Sequence, residues 1–102
     1  MPKRTRKYEE SLIESLKDPK EAAAYLNAHL DEEDSEEVFL LALRDVARAR
    51  GVGDIAESAS LGRESLYKAL SKDGNPKLST LRSLLKAIGL KLSVESEDKK
   101  AS

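Results

Sequence analysis

The sequence predicts an all-α domain, and three observations carry that expectation. Apolar residues recur every three to four positions along most of the chain, the period of a helix with one buried face. The breaks between these runs carry helix punctuation: Asp18 and Pro19 stand ahead of one run, and Gly51 and Gly89 behind two others. The third is length: 102 residues build one modest core and not two.

Tyr8, Leu12, Ile13 and Leu16 sit at helical spacing and define the first helix. "KDPKE" breaks it. There Asp18 suits an N-cap, Pro19 the first helical position, and Glu21 the capping-box position three residues after the cap. "KEAAAYLNAHL" follows, with Ala22, Tyr25, Leu26 and Leu30 on one side. The acidic run "DEEDSEE" interrupts it, and Ser35 with two glutamates behind it reads as another helix start. "EEVFLLALRDVARAR" is a strong helix with Val38, Leu41, Leu43, Val46 and Ala49 as core candidates. Gly51 is placed to end it in a left-handed conformation.

Two short helices come next, in "GDIAESAS" and "GRESLYKALS", and "DGNP" stops the second. "KLSTLRSLLKAIG" gives a last helix with Leu81, Leu84, Leu85 and Ile88 inward and Gly89 as its stop. "LKLSV" alternates apolar Leu90, Leu92 and Val94 with polar Lys91 and Ser93, the period of a strand. The expected organisation is a helical extension over residues 1–34, a domain holding the two short helices over 35–94, and a disordered tail over 95–102.

Charge divides the chain. Residues 1–43 carry 6 basic and 11 acidic side chains, whereas residues 44–94 carry 10 basic and 5 acidic. A net charge of -1 therefore hides a basic second half suited to a polyanion and an acidic first half suited to a basic protein or to solvent. With no Cys, disulfides, thiolate metal sites and Cys nucleophiles are excluded, which fits a reducing compartment. No apolar stretch reaches the length of a signal peptide or a membrane span, so a cytoplasmic location is the expectation.

His29 is the single histidine, and no organised pocket or second catalytic partner accompanies it; a surface His is the expectation. The acidic run lacks the Gly of a calcium loop. Neither an enzyme, a metal nor a cofactor is expected. The N-terminal "PKRTRK" reads as a solvated arm, a phosphate-contacting arm or part of a protein-binding segment.

Two short helices joined by a tight turn need a small residue where they cross, and Ala56 fills that place. Ile55, Ala59, Leu61 and Leu66 supply the apolar positions that hold such a pair, as a helix-turn-helix requires. The second helix then presents Arg63, Glu64 and Lys68 to a DNA major groove. Arg63 or Lys68 would donate to guanine, and Glu64 would accept from cytosine. Tyr67, Lys72 and Lys77 are the candidate phosphate contacts. The same spacing serves an ordinary helical hairpin, so the pattern alone leaves both readings open.

"DPKEAAAYLNAHL", "FLLALRDVARARG" and "GRESLYKALSKDGNPKLSTLRSLLKAIGLKLSV" together closely resemble the probable addiction-module antidote family, over roughly residues 6 to 94. These are small antitoxins with a helix-turn-helix of the phage-repressor (XRE, Cro/C1) type, HigA-like. The resemblance implies a lambda-repressor-like bundle with extra N-terminal helices and a short C-terminal strand. It also implies a type II antitoxin that neutralises a RelE/ParE-like toxin by direct binding and represses its own operon. Within that frame Tyr8, Leu12, Leu16 and Tyr25 are the candidate toxin contacts. A stand-alone XRE-type regulator without a toxin is the alternative, and a helical adaptor that binds only protein is a third. A homodimer is expected, because an edge strand seeks a partner and two recognition helices suit a palindromic operator.

The chain departs from the family pattern at two positions. Ser60 stands where the turn usually has Gly, and Gly62 where the recognition helix usually has an N-capping Ser. A positive φ at a non-Gly residue costs about 1 kcal/mol or more. Gly at an N-cap costs only a few tenths relative to Ser. Whether Ser60 takes a positive φ is a question the sequence poses without answering.

Overall fold

The computed structural model describes residues 6–31 and 36–97. Six helices follow one another: α1 (Arg6–Ser15), α2 (Pro19–Asp31), α3 (Glu36–Arg50), α4 (Val52–Ser58), α5 (Arg63–Ala69) and α6 (Leu78–Ile88). Helix α3 is the axis on which α1, α2, α4 and α6 all pack, while α5 is held by α4. Its inward residues are Leu40, Ala42, Leu43, Val46, Ala47 and Ala49. The expected core positions Val38 and Leu41 are only half-buried. Neighbours surround α3 on more than one side, so its buried surface is broader than a single stripe and is centred on Leu43, Val46 and Ala47.

One continuous core joins both ends of the chain. Leu16, Ala22 and Leu26 from the first two helices pack in the same cluster as Leu43, Leu66, Leu70, Leu84 and Ile88. Helices α4 and α5 have seven residues each, too short to persist alone, and are held by this burial.

The helix boundaries show how the sequence punctuates the fold. Asp18 caps α2 as expected: its Oδ1 accepts from the Lys20 amide at 3.0 Å. The reciprocal Glu21 half of the capping box does not form. The Asp18 amide already donates to the Ser15 carbonyl at 3.2 Å in the turn out of α1. Gly51 has the expected positive φ of 102°, but its ψ of 106° lies outside the left-handed helical region. It serves as the N-cap of α4, its carbonyl accepting the Ile55 amide at 3.0 Å, so the chain turns straight from α3 into the next helix.

At the far end Gly89 stops α6 in the left-handed conformation, φ 93° and ψ 22°, as expected. The Leu90 amide donates back to Leu85 O at 2.8 Å and the Gly89 amide to Lys86 O at 3.0 Å, a Schellman closure. Arg50 Nη1 adds a donor to the Ile88 carbonyl at 2.8 Å and ties the end of α3 to the end of α6. A cation there also opposes the negative end of the helix dipole.

The C-terminal strand is not formed: among the described residues there is no strand, and residues 91–96 follow α6 without a ladder. Strand periodicity is a local property, whereas a ladder needs a second edge, and the rest of the described chain is helical. Ser35 and most of the acidic run, residues 2–5 of "PKRTRK" and the end of the tail lie outside the described residues.

Candidate nucleic-acid interface

The turn between α4 and α5 holds the answer to the Ser60 question. Ser60 adopts φ 59°. The Leu61 amide donates to Ala56 O at 2.8 Å and the Ser60 amide to Glu57 O at 3.1 Å. These are the two bonds of a Schellman closure, with Ser60 in the left-handed position that glycine ordinarily fills. Leu61 is half-buried against the core and anchors the turn, while Ala56 and Ala59 are buried beneath it. Gly62 is the N-cap of α5 in an extended conformation, φ -77° and ψ 159°, and supplies no capping side chain.

With the turn fixed, the orientation of α5 follows from its own pattern. Leu66 and Leu70 are fully buried. Arg63, Glu64, Tyr67 and Lys68 lie on the opposite side and are exposed, the Tyr67 ring at 43%. Spacings of one, four and five residues put these four on one helical face. None of the four side chains has an ion-pair or hydrogen-bond partner among the described residues. Arg63 nevertheless has a resting place. A Cβ built on Gly53 would lie 3.0 Å from its Nη2, so the guanidinium lies over the glycine near the start of α4.

The turn after α5 is closed by a second glycine. Gly74 donates to Ser71 O at 2.9 Å. A Cβ there would come within 2.1 Å of the Ala69 carbonyl oxygen, so only a residue without a side chain fits against the end of α5. This close return brings exposed Lys72 and Lys77 to either side of the loop, with Lys77 as the N-cap of α6. Beyond them Arg82, Lys86 and Lys91 border a shallow groove of about 640 Å³. Sequence reasoning passed over these three cations, although the four-residue spacing of Arg82 and Lys86 already places them on one face of α6.

The N-terminal candidates separate. Tyr8 is 54% exposed, and Leu12 is half-buried. Leu16 is 1% exposed and belongs to the core, so it offers no surface to a partner. Tyr25 is half-buried, and its hydroxyl donates to Asp45 Oδ2 at 2.8 Å, joining α2 to α3. The His29 ring stands edge-on to Tyr25, centroids 4.8 Å apart, with Nδ1 2.9 Å from the Tyr25 carbonyl. It is a half-buried part of the α2 surface, more enclosed than the surface His expected. Exposed Glu9, Glu10, Glu14, Asp18 and Glu21 share this part of the surface with exposed Arg6, Lys7, Lys17 and Lys20, and Lys17 pairs with Glu14 at 3.3 Å, so the outer side of α1 and α2 is mixed in charge. Among the described residues no group of three or more His, Asp or Glu is placed to hold a metal ion, and no helix is long and apolar enough to cross a membrane.

The fold and this face together define a small helical protein that presents a charged, unpartnered helix beside a basic loop. The family model described as "probable addiction module antidote protein" matches residues 6–96. A Haemophilus influenzae (strain Rd) protein named only as uncharacterized is 45% identical over 84 residues, covering 82% of this chain and 86% of that protein. No solved structure matches. The chain belongs to the probable addiction module antidote protein family, and an antidote implies a toxin as its counterpart.

Proposed function

We propose that this protein is the antitoxin of a type II toxin-antitoxin pair, a binding protein without catalytic activity that has two tasks. It neutralises a RelE/ParE-like toxin by direct contact, and as a homodimer of phage-repressor type it represses its own operon. The observation that carries the DNA half is the outer face of α5. Arg63, Glu64, Tyr67 and Lys68 are all exposed and without side-chain partners among the described residues, on a helix whose other face is locked into the core.

In the major groove, Arg63 leaves Gly53 and donates to guanine O6 and N7, as does Lys68 at a neighbouring base pair. Glu64 accepts from a cytosine amine. Tyr67, Lys72 and Lys77 hold the backbone through phosphate contacts. The toxin contact is assigned to the outer side of α1 and α2, with exposed Tyr8 and the accessible edges of Leu12 and Tyr25.

The test is binding of the purified chain to its own promoter across a salt series. Lys72 and Lys77 on both protomers predict a log–log slope of about -4, from roughly -0.9 per phosphate neutralised. Absence of salt-sensitive binding, alone and with toxin, removes the repressor assignment. Co-expression with the adjacent toxin gene tests the other half: restored growth is expected, and no rescue by the folded antitoxin removes it.

A further inference from the structure

Charge in the second half of the chain is sorted by position. The acidic residues of 44–94 are Asp45, Asp54, Glu57, Glu64 and Asp73, all ahead of Gly74. Residues 74–94 carry Lys77, Arg82, Lys86 and Lys91 and no acid. On α6 the spacing of Ser79, Arg82, Ser83 and Lys86 puts all four on one face, opposite the buried Leu84, Leu85 and Ile88. Together with Leu90, Lys91 and Leu92 they line the groove of about 640 Å³. Its serine, arginine and lysine side chains are all exposed, and none has a hydrogen-bond or ion-pair partner among the described residues. Glu95 and Glu97 line a different groove, the one walled by α2 and Phe39, so no acid borders this one.

We propose that this groove is a second DNA-holding surface, in which Arg82, Lys86 and Lys91 grip the phosphate backbone beside the half-site read by α5. The proposal rests on the DNA reading above and adds three cations per protomer to Lys72 and Lys77.

The placement of the cations selects a phosphodiester strand over a small anion. Arg82 and Lys86 stand one turn apart, a rise of about 6 Å. Lys91 lies beyond the end of α6, so the three follow a line and do not converge on one point. A small-ligand site encloses what it binds, whereas every cation here is exposed. The line also begins where the loop contacts end. Lys77 is the N-cap of α6, and Ser79 belongs to its first turn. Ser79 and Ser83 add hydroxyl donors along the same row, and contacts of this kind hold the duplex without reading its sequence.

Fluorescence anisotropy with the operator fragment and with a scrambled duplex of equal length, each over a salt series, tests the groove. Five cations on each of two protomers predict a log–log slope of about -9 on the operator, against about -4 for Lys72 and Lys77 alone. The triple variant Arg82→Gln, Lys86→Gln, Lys91→Gln is expected to return to about -4. It should weaken both duplexes by the same factor and leave their affinity ratio unchanged. Arg82→Lys, Lys86→Arg, Lys91→Arg keeps the charges and should keep the steep slope. All three residues are exposed, and a thermal melt of each variant confirms that the fold is intact. A glutamine variant with the wild-type slope overturns the inference, including one that has lost affinity only for the toxin. A wild type that binds both duplexes equally, with the steep slope lost in the glutamine variant, upholds the groove and strikes the base-reading role of α5 instead. A wild type that binds neither duplex strikes both.

Discussion

Replacing Ser60 by Gly tests the most local claim made for this fold, that a single residue in the turn before α5 is strained. Ser60 sits at φ 59°, is exposed, and has no side-chain partner among the described residues. Glycine in its place therefore loses no packing. Left-handed backbone costs an L-residue about 1–2 kcal/mol. Against this, glycine gives the unfolded chain extra freedom, offsetting about 0.4–1 kcal/mol. Ser60→Gly should thus be more stable by about 0.5–1 kcal/mol. For a domain of this size that raises the melting midpoint by roughly 2–8 °C.

Urea unfolding followed by circular dichroism should show a higher midpoint at unchanged m, because the buried surface is the same. Ser60→Ala keeps the strained conformation and should stay close to wild type, whereas a β-branched Ser60→Val should fall below it. The Leu61–Ala56 and Ser60–Glu57 bonds are backbone bonds, so operator affinity should not change with Ser60→Gly. If Ser60→Gly is no more stable than Ser60→Ala, the strain assignment fails.

Gly74→Ala should destabilise by about 1–3 kcal/mol, since the new Cβ must push the loop off the end of α5; chemical denaturation reads the loss. Tyr25→Phe should cost about 1 kcal/mol by leaving Asp45 without that donor, and a thermal melt at constant pH measures it. Leu66→Ala should cost about 2–5 kcal/mol, because Leu66 is fully buried where α5 meets the core, and a urea midpoint reports it. Arg63→Ala should leave stability nearly unchanged but weaken operator binding by about 1–3 kcal/mol and relax preference at one base pair. Equal weakening on every sequence would make Arg63 a phosphate contact.

Much of the fold was legible because helix signals are local. The inward set of α6, the stop at Gly89 and the small residues Ala56 and Ala59 under the turn all follow from spacing and residue size. The outer face of α5 was legible for the same reason. The errors occurred where a neighbour, invisible in the sequence, decided the outcome. Leu16 was a candidate toxin contact but lies just past α1 and is buried in the shared core. Glu21 lost its capping partner to the Ser15 carbonyl. Leu90, Leu92 and Val94 have a strand's period but no second strand within the described chain.

The sequence by itself determined the all-helical class, the pair of short helices, the division into an acidic and a basic half, and family membership. Periodicity, capping residues and charge are written residue by residue, so reading them needs no knowledge of what lies nearby. Tertiary structure alone decided that α1 and α2 share one core with the rest and that Arg63 rests over Gly53. It also decided that Ser60 takes the glycine conformation. The physical reason in this last case is cooperative. Burial of Ala56, Ala59, Leu61 and Leu66 fixes where α4 ends and α5 begins, and the backbone between them closes in the one conformation that joins those ends, at the expense of Ser60.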